Sequence, residues 1–199
     1  MATVERILIV GGGIAGLTLA TALQQQGFQP ELVERSPEWP AVGAGIMLQA
    51  NGLRVLRALG LDAAAEQAGA VVRHWAWCDQ QGEVLSDTDL VGVWGEVGPC
   101  IGIARPALQE VLLAGAEGVP CRLGTAVMAL TQEEQDQRVQ VSFSDGSSGT
   151  YDLVVGADGL GSTVRELALG TASIGYTGVM MWRSIVPTRT SAARSAGTE

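Results

Sequence analysis

Residues 4–35 read VERILIVGGGIAGLTLATALQQQGFQPELVER. Within this stretch, residues 7–23 form an uncharged 17-residue run behind Arg6, and Ala20-Thr21-Ala22 imitates a signal-peptidase site. A cationic start with an apolar middle is the pattern of a secretory leader. Three consecutive glycines break the helix that such a leader forms, and the run is short for a membrane span. The better division falls at Gly11-Gly12-Gly13. Val4–Val10 is then a strand buried on both faces, Ile14–Gln26 a helix, and Gly27 its stop. Gln29–Val33 is a second strand that ends at Glu34-Arg35, which completes a strand, glycine turn, helix, strand unit.

The spacing Gly11-x-Gly13-x-x-Gly16 gives that unit a chemical reading. The first glycine allows a sharp turn, the second lets a pyrophosphate approach bare backbone, and the third packs the helix against the strand. Phosphates would then sit at the helix N-terminus, where unpaired N–H groups and the positive end of the helix dipole favour an anion. Glu34 follows 18 residues after Gly16, at the end of the second strand, where a carboxylate can accept both ribose hydroxyls of an adenosine. The rival reading is a glycine-rich turn with no ligand. The preceding strand, the following helix and the placed acid together favour a dinucleotide site in a Rossmann-like α/β fold. The carboxylate disfavours a bare NADP site, and the motif alone leaves NAD and FAD open.

Composition narrows the partners. The chain has 199 residues with 12 arginines, no lysine and 21 acids, for a net charge of −9. Without lysine it has neither a P-loop lysine nor a Schiff-base former, and an acidic chain does not lay a cationic stripe along nucleic acid. One histidine, His74, and three scattered cysteines, Cys78, Cys100 and Cys121, do not have the spacing of a zinc site, so no metal is expected. The odd cysteine count argues against a disulfide framework, and a reducing, cytoplasmic setting is expected. The cysteines read as buried small hydrophobes. With 47% hydrophobic and 17% charged residues, the chain has material for a core.

Further along, Gln49–Leu59 reads as a helix with Leu53, Leu56 and Leu59 on one face, closed by Gly60 with Leu61 packing back. Between Val71 and Ile103 short β-like pieces appear, at Val72–Cys78, Glu83–Ser86 and Gly98–Ile103. Arg105-Pro106 opens a helix to about Ala114. Cys121–Leu130, Arg138–Phe143 and Thr150–Tyr151 form a meander with a turn at Asp145-Gly146. Asp152–Gly156 is a strand leading into Ala157-Asp158-Gly159, after which a helix begins at Ser162. Residues 175–187 read as one more strand, and residues 188–199 as a disordered tail.

Five segments resemble one family, the FAD-dependent aromatic hydroxylases, or group A flavoprotein monooxygenases of the para-hydroxybenzoate hydroxylase type. VGGGIAGLTLATAL with LVERSP is similar to the family's FAD fingerprint and its Glu34-Arg35 ribose pair. GAGIMLQANGLRVLRALGL, residues 43–61, resembles the second glycine turn and helix on the flavin side, with Ala50 where the family has proline. IARPALQEVLL, residues 103–113, resembles the family's Arg-led helix, and DLVVGADGLGSTVR, residues 152–165, its Asp-Gly motif. YTGVMMWRSIVP resembles the first long strand of its substrate lobe.

The resemblance implies FAD as cofactor, NAD(P)H as reductant, and hydroxylation of an aromatic or similarly electron-rich small molecule, with neither nucleic acid nor membrane as partner. It implies cofactor contacts at Gly11, Gly13, Ala15, Gly16, Glu34, Arg35, Gly45, Arg105, Val127, Asp158 and Gly159. It assigns no catalytic residue. It further implies an α/β FAD-binding domain (residues 1–70 and 104–173) with a parallel central sheet and a β-meander. Part of a small β-rich substrate lobe (71–103 and 174–187) accompanies it, the whole truncated relative to the family. A second fingerprint, which holds the ribityl chain in the family, has no counterpart here. The alternative is therefore a catalytically incomplete fragment that binds FAD or adenosine, and an NAD-dependent dehydrogenase stands third. The 176–186 strand, lacking later partners, would expose an edge for self-association.

Each site residue also has a plain structural reading. Arg105 could be a solvated helix-start arginine, and Asp158-Gly159 a turn with a helix cap. His74 fits a strand residue better than a catalytic base. Trp75, Trp77 and Trp182 fit core packing better than a substrate cavity.

Overall fold

In the computed structural model, which describes residues 4–39, 43–132, 138–171 and 173–181, the apolar run divides at its glycines. β1 (Ile7–Val10) is buried at all four positions. Gly11 turns the chain at φ +108°, and α1 (Ile14–Gln25) follows. Gly27, at φ +86°, leads out of the helix into β2 (Pro30–Val33), which lies parallel to β1 with Val10 opposite Val33. The remaining elements are β3 (Gly45–Leu48), α2 (Ala50–Ala58), α3 (Asp62–Ala68), β4 (Gly69–Val72), β5 (His74–Cys78), β6 (Val84–Asp89) and α4 (Leu90–Trp94). After them come β7 (Cys100–Ala104), α5 (Arg105–Gly115), β8 (Cys121–Arg122), β9 (Val127–Thr131), β10 (Val139–Phe143), β11 (Ser148–Tyr151), β12 (Leu153–Gly156) and α6 (Thr163–Leu169).

A parallel sheet in the order β12-β1-β2-β8 forms the centre. Its two faces are covered by different layers. Ile9 and Leu32 pack with Leu17 of α1 and Leu108 and Leu112 of α5. Leu8, Val10 and Val33 pack with Val127, Val141, Phe143 and Tyr151 of the antiparallel meander β9-β10-β11. Covering on both sides is why the strand sequence is uniformly apolar rather than alternating. Each such fully buried side chain stabilises the fold by about 1.5–3 kcal/mol. Tyr151 ties the layers further: its hydroxyl donates to Glu31 Oε2 at 2.9 Å, and the Arg6 guanidinium lies 4.8 Å from its ring centre.

β7 pairs antiparallel with both β3 and β4 and sends Ile101 and Ile103 into the helix-side core. The β5-β6 hairpin stands apart as its own two-stranded sheet, with Trp75 and Trp77 stacked at 5.8 Å. α2 ends as its Gly60 predicts: the Leu61 N–H donates to Leu56 O at 2.8 Å and the Gly60 N–H to Arg57 O at 3.1 Å, a Schellman closure. The Asp145-Gly146 turn also forms, with Gly146 at φ +82°.

Three readings need correction. Cys121–Leu130 is not one meander strand. The Glu34 N–H donates to Arg122 O at 2.9 Å, so Cys121 and Arg122 extend the parallel sheet, and Gly124 at φ +66° bends the chain before β9 begins. The strand expected at 175–187 is absent over residues 173–181, where no described neighbour supplies a ladder and Tyr176, Met180 and Met181 are exposed. Residues 182–187, with Trp182, and the tail 188–199 lie outside the described residues. Of the cysteines only Cys100 is buried; Cys78 lies on the exposed hairpin and Cys121 on the edge strand β8. β3, α3 and α4 add elements that the sequence pattern did not disclose.

Candidate functional site

The carboxyl ends of β1, β2 and β12 converge, as the ligand crevice of a parallel α/β sheet requires. Two backbone bonds tie these ends together: the Gly11 N–H donates to Val33 O at 2.8 Å, and the Ala157 N–H to Val10 O at 2.7 Å. A cavity of about 330 Å³ opens above them, bounded also by the starts of α1, α5 and β9.

The glycines of the turn have separate jobs. At Gly11 a Cβ would lie 2.5 Å from Ala157 O, and the backbone is left-handed, so a side chain is excluded twice over. At Gly16 a Cβ would collide with the Gly11 carbonyl oxygen, so this glycine seats α1 on the turn. At Gly13 a Cβ would meet nothing within 4 Å. Gly13 is also the N-cap of α1 and provides no side-chain cap. The first-turn N–H groups of α1 have no intrahelical acceptor and begin beside this open space on the cavity wall, an arrangement suited to an anion.

Glu34 stands at the other end of the turn. Its Oε2 accepts the Gly12 N–H at 2.7 Å and its Oε1 the Ser36 N–H at 2.9 Å. Two backbone donors thus fix the carboxylate, and each oxygen keeps a lone pair for a further donor. Nearby, partial burial first and the Glu34 charge second raise the Cys121 thiol above its ordinary value.

The cavity brings together Gly11, Gly13, Glu34, Arg35, Arg105, Val127, Asp158 and Gly159. It does not include Ala15, Gly16 or Gly45. Ala15 is exposed on α1 and lines a shallow groove with Arg54 and Val55 of α2; Gly45 pairs with Ala104 in the β3-β7 ladder. Arg105 opens α5, and its stem lies against Gly43, where a Cβ would be 3.1 Å away. Asp158 serves as a cap as well as a wall: Oδ1 accepts the Ser162 hydroxyl at 2.5 Å and Oδ2 the Val164 N–H at 3.1 Å. Ser162 Oγ in turn accepts the Arg165 N–H at 3.0 Å. Gly159 turns at φ +80°.

Gln109 and Trp39 are among the lining residues that the sequence reading did not single out. Gln109 is buried and donates Nε2 to Gly12 O at 2.9 Å. Its signal was available, because it follows Arg105 by one helical turn and is polar on an otherwise apolar face. Trp39 lines the cavity beside Ser36 with no spacing rule to mark it. His74 lies away from the cavity, its Nδ1 3.6 Å from Asp87 Oδ1 on the exposed hairpin. Among the described residues no three His, Cys, Asp or Glu side chains cluster as a metal site, and no helix is long and apolar enough to cross a membrane.

The chain is similar to known proteins. Aurachin C monooxygenase/isomerase of Stigmatella aurantiaca is 38% identical over 188 residues, which cover 93% of this chain and 48% of that protein. The 3-amino-4-hydroxybenzoate 2-monooxygenase of Streptomyces cremeus is 36% identical over 187 residues, 92% of this chain and 46% of that protein. The chain thus spans about half the length of these relatives. Among solved structures, HpxO of Klebsiella pneumoniae complexed with FAD and uric acid superposes with a TM-score of 0.74 at 28% identity, over 84% of this chain and 42% of that one. The profile of the family described as FAD binding domain matches residues 5–196, and the chain belongs to that family.

Proposed function

We propose that the cavity holds the adenosine and pyrophosphate of FAD, and that the chain forms the N-terminal part of an NAD(P)H-dependent monooxygenase acting on an aromatic small molecule. The observation that carries the reading is the pairing of two recognition ends in one cavity. At one end is the Glu34 carboxylate, fixed by the Gly12 and Ser36 N–H groups. At the other is the open start of α1 at Gly13. Their chemistry matches a nucleoside diphosphate, a sugar diol at a carboxylate and a double anion at a helix N-terminus.

In this reading the turn from Gly11 to Gly16, including the Ala15 backbone, faces the pyrophosphate. Glu34 accepts the ribose hydroxyls, and Val127 borders the base. Arg35 and Arg105 supply the cavity's cationic side chains. Asp158 and Gly159 shape the wall toward the flavin, with Gly45 on the flavin side by family resemblance. When bound, the flavin supplies electron transfer from the nicotinamide and activation of oxygen; the protein's part is to orient it and exclude water. The name of the 3-amino-4-hydroxybenzoate 2-monooxygenase supports oxygenation of a ring compound. NAD(P)H as reductant, a cytoplasmic setting and the division into an FAD-binding domain and a partial substrate lobe belong to the same proposal.

The test is an absorption spectrum of the purified chain after incubation with FAD and gel filtration, followed by assay of NADH and NADPH oxidation. Retained yellow colour with oxidation of a nicotinamide supports the whole proposal. Retained FAD or ADP without oxidation supports the binding-only alternative. A thermal shift with NAD and none with FAD would overturn both.

A further inference from the structure

The middle glycine of the triplet, Gly12, sits where the phosphate-binding spacing accepts any residue, yet it has no room for a side chain. A Cβ there would lie 2.5 Å from Cζ3 and 2.8 Å from Cη2 of Trp39, and 3.2 Å from Cβ of Glu34. Gly12 is therefore held on every side. Its N–H is given to Glu34, its carbonyl oxygen accepts from Gln109, and the six-membered ring of Trp39 lies on its backbone. The indole packs partly into the helix-side core and also lines the cavity next to Glu34 and Ser36. A side chain at Gly12 would have to displace the Trp39 ring.

We propose that Trp39 is a nucleoside-contacting residue, an aromatic wall placed over Gly12 beside the carboxylate that takes the sugar. This rests on reading the cavity as an adenosine site and names a recognition element that the glycine spacing does not contain. Two effects follow from the geometry. The ring shields the hydrogen bond between Gly12 and Glu34 from water, which strengthens further bonds to that carboxylate. Its remaining surface offers dispersion contacts to the ribose and base.

The experiment uses the full chain with ADP and FMN as probes, since ADP carries the adenosine and pyrophosphate without a flavin, and FMN the flavin with one phosphate and no adenosine. ADP affinity is measured by calorimetry for the wild type, Trp39→Phe and Trp39→Ala, and tryptophan emission is followed in the same titrations. The expected result is ADP-dependent quenching in the wild type that is lost in Trp39→Phe. Trp39→Ala should weaken ADP by about tenfold and leave FMN binding unchanged. Wild-type ADP affinity in Trp39→Ala, or quenching that persists in Trp39→Phe, overturns the proposal while the adenosine site stands. Absence of ADP binding to the wild type overturns the adenosine site itself, and this proposal with it. If Trp39→Ala does not fold, as judged by its melting transition, the quenching comparison in Trp39→Phe decides.

Discussion

At the scale of single residues, Glu34 is oriented by two N–H groups, one from the glycine turn and one from the segment after β2, and the proposed function gives this carboxylate the ribose. Glu34→Gln keeps the shape and removes the charge. A hydrogen bond to an ionised acceptor contributes about 1.5–3 kcal/mol, so FAD and ADP affinity should fall by about 10- to 100-fold, measured by calorimetry. The same variant should speed alkylation of Cys121 at mildly alkaline pH. The Glu34 charge is the second cause of the raised thiol pKa, so removing it favours the thiolate, although burial, the larger cause, remains. An unchanged labelling rate, followed by peptide mass spectrometry, would refute that coupling. Gly16→Ala should cost about 1–3 kcal/mol in a denaturant melt, because the added methyl meets the Gly11 carbonyl oxygen and α1 must shift. The turn at Gly11 and the helix seating at Gly16 were legible in the sequence, since each follows from backbone geometry at fixed spacing. Trp39 and Gln109 were not, because their places depend on packing between elements distant in sequence.

At the scale of elements, α6 and the meander show two ways of holding a piece in place. α6 buries no residue of its own, and its start is set by the Ser162 cap and the two bonds to Asp158. Ser162→Ala should therefore cost about 1 kcal/mol and speed hydrogen exchange in residues 163–169 ahead of the rest of the chain. Exchange that accelerates uniformly would show that the cap is not what anchors this helix. The meander is instead locked by packing and by Tyr151. Burial first, then the hydrogen bond to Glu31 and its charge, raise the Tyr151 phenol above its ordinary value of 10.0. The folded state thus holds this proton more tightly than the unfolded chain. The stability it contributes is complete below the ordinary value and is lost as pH rises through the raised one. Tyr151→Phe should cost about 1 kcal/mol at neutral pH and flatten the alkaline decline, seen in melts across a pH series. Strands and helices with strong periodicity were legible, including the start of α5 at Arg105-Pro106 and the close of α2 at Gly60. The two-residue β8 was not, because only the neighbouring β2 makes it a strand.

At the scale of the whole molecule, the described chain presents apolar surface beyond its layered core. Tyr176, Val179, Met180 and Met181 are 67–75% exposed, and Trp77, Val84 and Leu85 are exposed on the β5-β6 hairpin. Large apolar side chains exposed along one segment favour association. The apparent mass in light scattering should rise with protein concentration, and Met180→Glu with Met181→Glu should suppress the rise. A monomer at every concentration would show that these side chains find cover elsewhere.

The sequence by itself determined the strand, glycine turn, helix, strand unit and the acid that follows it. These are local consequences of backbone freedom, apolar period and spacing, which need no distant partner. It also carried the family resemblance and the run of Asp158-Gly159 into a helix. Only the tertiary structure decided that Glu34 is held by Gly12 and Ser36, that Gln109 and Trp39 close on Gly12, and that Asp158 caps α6 while lining the cavity. It also left residues 173–181 without the strand their composition suggests. The physical reason is the same in each case. Partners far apart in sequence, such as Gln109 and Gly12, 97 residues apart, or Tyr151 and Glu31, 120 apart, are assigned by how the layers meet, and a strand exists only where another supplies its ladder.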